Sequence, residues 1–285
     1  MECHGILKAA RDEEGRGKLS KAAELYHRAS ICFGMYNDFS EYENLRRKSG
    51  ELFLAAARAE PNPVLAIKYA TLAHRALAEL CSSLAAECSD MLLRLVTSNM
   101  EALLTEREVC ASAAEFLASQ GRFELASELY TSLARECCRE NRVQLAATLY
   151  SNAAACKEEE GDLRGSSEYN ELAGKLFMSC GLDLEASQHF VKSFLEGVLL
   201  GEVNHSALRL SEEACLKGEI EDVWHTELIS LCKDLYRGDV ESANRKWSYI
   251  RQKFKPSFRL VVERAIGKLA EGPRSGAREA EGSGT

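Results

Sequence analysis

The sequence predicts an all-α fold, a right-handed solenoid of antiparallel helical hairpins ending in a C-terminal helical bundle. Three observations carry that prediction. A small-aromatic-small triplet at helical spacing recurs along the chain, glycines fall at twenty-residue intervals, and only 4 prolines and 7% aromatic residues leave little of what sheets need.

The triplet first occurs as Ala22-Tyr26-Ala29 and returns as Ala126-Tyr130-Leu133, Ala146-Tyr150-Ala153 and Ala186-Phe190-Ser193. Steps of four and three residues place the three side chains on one helical face. The small residues there let a neighbouring helix approach while the ring fills the space between them.

Positions 126, 146 and 186 are separated by twenty and forty, with Ser166 and Ser206 on the intervening and following beats, so one helix and its turn occupy about 20 residues. Counting back sixty from Ala126 reaches Ala66 in Ala66-Ala70-Ala73. The step from Ala22 to Ala66 is four residues too long for two beats, and the excess falls at Pro61-Asn62-Pro63, where proline stops a helix.

Gly121, Gly161, Gly181 and Gly201 mark the turns, with Asn141 in the vacant slot, and these residue types tolerate the left-handed conformation that ends helices. Gly218 and Gly238 repeat the interval, and Asp162 and Asp239 are expected to cap the helices that follow. Residues 82 to 108 keep the beat weakly, although Leu84, Met91, Leu92, Leu95 and Val96 still describe an amphipathic helix. The small-aromatic-small spacing is that of tetratricopeptide (TPR) repeats, while a forty-residue pair is longer than their 34, which makes this a long-helix, TPR-like variant.

One folded domain is expected over residues 1–271, with the bundle at about 220–271. The segment 272–285, GPRSGAREAEGSGT, has no large apolar residue and is expected to be a disordered tail.

Composition excludes several function classes. A net charge of −8 argues against general nucleic-acid binding, which needs a surplus of cations. The eleven cysteines are odd in number and form no C-x-x-C, so they read as reduced, small hydrophobes with neither a disulfide framework nor a zinc site. No apolar run approaches the roughly 20 residues of a membrane helix, and Met1-Glu2-Cys3-His4 does not begin an export signal, so a cytoplasmic protein is expected.

Catalysis finds no foothold. His4, His27, His74, His189, His205 and His225 are isolated, Gly15-Arg16-Gly17-Lys18 lacks the spacing of a phosphate loop, and no G-x-S-x-G occurs. No enzyme activity, cofactor or metal is expected.

The run Lys21-Ala22-Ala23-Glu24-Leu25-Tyr26-His27-Arg28-Ala29, followed by Phe33, Met35 and Asp38-Phe39-Ser40, resembles an early repeat of the soluble NSF attachment protein (SNAP) family. So does the stretch from Leu228 to Leu269, with its Ala243-Trp247-Ile250 helix and its Arg259-Leu260-Val261-Val262 helix. The resemblance implies an adaptor of vesicle trafficking that grips a SNARE-like helical bundle and recruits the hexameric AAA ATPase NSF, with at most peripheral membrane contact. Where the family has an aromatic-rich membrane loop this chain reads RDEEGRGK from Arg11 to Lys18, and its final residues, Glu279 to Thr285, lack the family's near-terminal leucine.

Between Asn244 and Lys268 eight basic residues face a single acid, Glu263. Six of them, Arg245, Lys246, Arg251, Lys253, Lys255 and Arg259, form the candidate partner-binding site, since a segregated positive field attracts acidic surfaces. The alternative is an ordinary solvated helix face. Glu212, Glu213, Glu219, Glu221 and Asp222 make an opposite pole beside Trp224. Trp224 and Trp247 are either interface anchors or, as is commoner at helical spacing, core.

Overall fold

A computed structural model describes residues 2–80 and 83–271. These residues form helices and turns with no strand among them. The expected tail at 272–285 lies outside the described residues.

The chain divides into two compact units, Met1–Leu129 and Tyr130–Thr285. The first contains α1 (Glu2–Gly15), α2 (Leu19–Met35), α3 (Phe39–Ala59), α4 (Pro63–Ala78), α5 (Ser83–Ser98), the single turn α6 (Met100–Leu103) and α7 (Arg107–Ser119). Helix α8 (Phe123–Arg139) carries the boundary. The second unit continues with α9 (Val143–Glu160), α10 (Leu163–Ser179), α11 (Asp183–Leu200), α12 (His205–Lys217), α13 (Val223–Tyr236), α14 (Val240–Ile250), a 3-10 turn at Arg251–Lys253 and α15 (Pro256–Glu271).

Helices form where the beat places them because each turn carries its own stop and start signal. Gly121, Gly161, Gly181, Gly201 and Gly238 all have positive φ, as does Asn141 at 60°. Gly17 and Asn37, at 74° and 61°, extend the same twenty-residue interval back to the first turns. Gly218 departs from the expectation: it is right-handed, at −82°, and the left-handed residue is Glu219. Asp162 and Asp239 accept hydrogen bonds from the backbone N–H groups of Gly165 and Ser242, satisfying donors that a helix start leaves orphaned. Asp38, Asn62, Asn204 and Asp222 cap α3, α4, α12 and α13 in the same way. Pro63 opens α4 at its first helical position, where a missing N–H costs nothing.

In the first unit α1 to α4 pack in succession, and α4 also receives α5 and α7. Ala22, Ala23 and Ala29 are wholly buried with Tyr26 between them, and the Tyr26 hydroxyl donates to Glu14 at 2.7 Å. Ser49 on α3 donates to the carbonyl of Ala23 at 2.8 Å, which places the two backbones close together. The cysteines correct the sequence reading. Cys3 and Cys32 are joined in a disulfide tying α1 to α2, while Cys88, Cys138, Cys156, Cys180, Cys215 and Cys232 are free. The pairing escaped a search for motifs because its partners are 29 residues apart and meet only through helix packing.

In the second unit α9 to α12 are consecutive neighbours, and α11 additionally meets α13 and α15. Val191, Phe194, Leu195 and Val198 of α11 share one core with Leu228, Leu231 and Leu235 of α13, Ala243, Trp247 and Ile250 of α14, and Val262 and Ile266 of α15. This is the C-terminal bundle, and Trp247 belongs to its interior with 4% exposure.

The seam is close between α10 and α11. Phe190 is wholly buried, and a Cβ placed on Gly174 would stand 2.8 Å from its ring. Alanine at 174 therefore meets an overpacking cost of about 1 to 3 kcal/mol, against a gain in helix propensity of about 1 kcal/mol. At Gly267 of α15 a Cβ would meet nothing within 4 Å. Thermal unfolding should show Gly174→Ala lowering the melting temperature and Gly267→Ala raising it. Equal shifts in the two variants would contradict a close-packed α10–α11 seam.

Candidate functional site

The six basic residues separate into four roles. Lys246 turns inward, donating to Asp234 at 2.5 Å and to Ser230 at 2.7 Å. Asp234 is 7% exposed; burial raises its pKa, but the hydrogen bonds from Lys246 and Ser242 outweigh that, and the carboxyl lies below its ordinary range. Arg259 donates to the backbone carbonyls of Phe254 at 2.8 Å and Gln252 at 3.4 Å, holding the connection between α14 and α15 in shape. Arg245 is paired at the surface with Glu241, one turn earlier on α14. Arg251, Lys253 and Lys255 are exposed and make no ion pair among the described residues. Lys253 lies 4.8 Å above the ring of Trp224, which also packs against Tyr249 at 5.4 Å. Trp224 is thus half-buried at the edge of the bundle, under a cation.

The connection bearing these lysines forms one wall of a cavity of about 450 Å³. Glu158 at the end of α9, His189 and Lys192 on α11, and Leu228 on α13 complete it, with Phe254 and Phe258 as its aromatic side. The two phenylalanine rings are 5.3 Å apart. Glu158 and Lys192 form an ion pair across the cavity wall. Three lysines set against one glutamate leave the lining with two excess positive charges. Glu158, the first of the acidic run Glu158-Glu159-Glu160, is thus a half-buried member of the cavity lining.

A buried polar network underlies the α11 side. Glu196, with no exposed surface, accepts from Ser166 at 2.6 Å and from the Asn170 amide at 3.0 and 3.2 Å. With its nitrogen committed to Glu196, Asn170 turns its oxygen to His189 Nδ1 at 2.9 Å. His189 therefore carries its proton on Nδ1, and its other ring nitrogen has no hydrogen-bond partner among the described residues. Burial pushes the Glu196 carboxyl up to about 7 despite the hydrogen bonds from Ser166 and Asn170 and the charge of Lys192. Burial, helped by Lys192, pushes His189 down to about 4. A single acid inside the apolar run Phe194-Leu195-Glu196-Gly197-Val198 was the sequence signal for this network. Its partners, a serine and an asparagine on the preceding helix, gave none.

Elsewhere the described residues hold no group of three His, Cys, Asp or Glu placed to bind a metal. None of their helices is long and apolar enough to cross a membrane. In the first unit the α2–α3 turn leaves Met35, Tyr36 and Phe39 largely exposed.

The two shifted groups act oppositely on stability. Glu196 binds its proton more tightly when folded, so its contribution is lost as pH rises from about 4.5 through about 7. His189 binds its proton less tightly when folded, so its contribution is lost as pH falls from about 6.5 through about 4. Glu196→Gln, whose amide oxygen still accepts from Ser166, removes only the first effect. Denaturant titrations should find the variant gaining on the parent protein as pH rises, by roughly 2 to 3 kcal/mol near pH 8. A difference independent of pH would contradict the burial of an ionisable carboxyl here.

No family model matches the chain, and no curated protein matches it. Among solved structures it is similar to BtubC (BKLC) from P. vanneervenii, at 16% identity over 76% of this chain and 87% of that one, with a TM-score of 0.48. It is also similar to the apo form of RapI, at 14% identity over 95% of this chain and 74% of that one, with a TM-score of 0.43. No residue of the site takes its role from either.

Proposed function

We propose that the chain is a protein-binding adaptor that performs no chemistry of its own, organised like a SNAP protein. Its stacked helices grip an elongated helical partner of SNARE-like type. The cavity beside α15 and the cations around it dock a second, acidic protein, for which an AAA ATPase is the leading candidate.

The observation that carries this reading is the exposed trio Arg251, Lys253 and Lys255, unpaired among the described residues, beside an aromatic-walled cavity in a chain of net charge −8. Unpaired cations next to apolar surface are what an acidic partner with apolar anchors can use, for steering as well as contact. The non-catalytic part of the reading is supported by where the titratable groups lie. Glu196 has no solvent-exposed surface, and His189 spends one nitrogen on Asn170, so these two present no acid–base pair to a substrate. The exposed Met35, Tyr36 and Phe39 support a peripheral membrane contact at most. The buried thiols of Cys88, Cys156 and Cys232 fit a cytoplasmic protein, with Cys3–Cys32 as the exception.

A second reading, a scaffold subunit of a larger cytosolic complex without a trafficking role, is favoured by the internal use of Lys246 and Arg259, which leaves fewer cations for a partner than the sequence offers. The purified chain mixed with an assembled SNARE bundle and a hexameric AAA ATPase separates the two. The adaptor reading expects co-precipitation of all three and faster ATP hydrolysis. Failure of both, with retention of other proteins in a native complex, leaves the scaffold.

A further inference from the structure

The cavity beside α15 is chemically narrower than a general acidic docking face. At about 450 Å³ it has room for a large side chain. Its two excess positive charges come from Lys192, Lys253 and Lys255 against Glu158, and no arginine lines it. Lysines act as point charges and, like the lysine of a phosphate loop, hold a compact polyanionic centre. A phosphoryl group is such a centre, with about two negative charges and three acceptor oxygens near neutral pH.

The remaining lining agrees with an aromatic stem. Phe254 and Phe258 supply ring surface and Leu228 an aliphatic floor. Ser257 adds a hydroxyl donor. His189 enters uncharged, and a dianion beside it would favour its protonation, adding a further donor at the ring nitrogen that now lacks a partner. A glutamate side chain brings one negative charge to a lining with two in excess and has no ring to lay against Phe254 and Phe258, and a nucleic-acid strand would need a basic groove that continues along its backbone.

We propose that this cavity receives a phosphotyrosine side chain of the protein partner, so that phosphorylation of the partner switches docking on. The inference rests on the adaptor reading and adds the chemistry that controls it.

The test uses the full chain and short synthetic peptides that differ only at a central residue: phosphotyrosine, tyrosine or glutamate. Fluorescence anisotropy at physiological salt should show the phosphotyrosine peptide binding at least ten-fold more tightly than the other two. The double variant Lys253→Gln/Lys255→Gln should lose at least ten-fold of that affinity. Lys268→Gln, elsewhere on α15, should lose none, and unchanged melting temperatures would show that the variants fold. Phenyl phosphate at millimolar concentration should compete.

Equal binding of the tyrosine peptide, full binding by the double variant, or no response to phosphopeptide and phenyl phosphate would each overturn the proposal. Tighter binding of a single-stranded oligonucleotide would overturn it in favour of nucleic acid. Loss of SNARE and ATPase co-precipitation with phosphopeptide binding intact would sink the adaptor reading alone. Intact co-precipitation without a phosphotyrosine response would sink the site alone.

Discussion

Close approach between neighbouring helices is the constraint on which the rest of this structure depends. A helix of about 17 residues buries one stripe, and that stripe can lose water only against the helix beside it. Alanine, serine and glycine on the facing side set the distance, and aromatic rings such as Tyr26, Tyr150 and Phe190 fill what remains. Phe190 against Gly174 shows the constraint at work, because no larger residue fits opposite the ring without displacement. Burying a side chain of this size contributes about 1.5 to 3 kcal/mol, and the contribution depends on the fit being retained.

The same closeness explains the polar features of α11. That helix meets α10, α12, α13 and α15, so it is enclosed on several sides, and the polar groups on its buried faces need partners within the protein. Ser187 donates to the carbonyl of Ser211 at 2.9 Å and meets His225 at 2.8 Å, while Glu196 is satisfied by Ser166 and Asn170. The carboxyl is tolerated in this interior because its hydrogen bonds are made and because protonation near neutrality relieves the charge. The network fixes the orientation of His189, so the wall of the candidate site is held by the packing beneath it. Function, in this account, borrows rigidity from the helix stack.

Much of the fold was legible because turns and seams repeat. The glycines at 121, 161, 181 and 201 and the caps at Asp162 and Asp239 act through local backbone geometry, and local geometry is what a linear pattern records. Glu219 replaced Gly218 as the left-handed residue because α12 ends through a right-handed glycine, a shift of one position that periodicity cannot resolve. The Cys3–Cys32 bond was hidden for the opposite reason, since it depends on two helices meeting. The basic segment was visible as composition only. Lys246 and Arg259 are indistinguishable in sequence from Lys253 and Lys255, and the difference arises from Asp234 on another helix and from two backbone carbonyls in the α14–α15 connection. The cavity itself had no linear signature, because its walls come from α9, α11, α13 and the start of α15.

Native-state hydrogen exchange, read amide by amide across residues 130–271, shows whether neighbouring helices depend on one another. If shared seams hold the stack together, the amides flanking Phe190 in α11 and Gly174 in α10 exchange among the slowest and lose protection at the same denaturant concentration. The connection at 251–257 exchanges far sooner. Protection that is lost independently in α10 and α11, or that is weaker there than in the connection, would contradict the account.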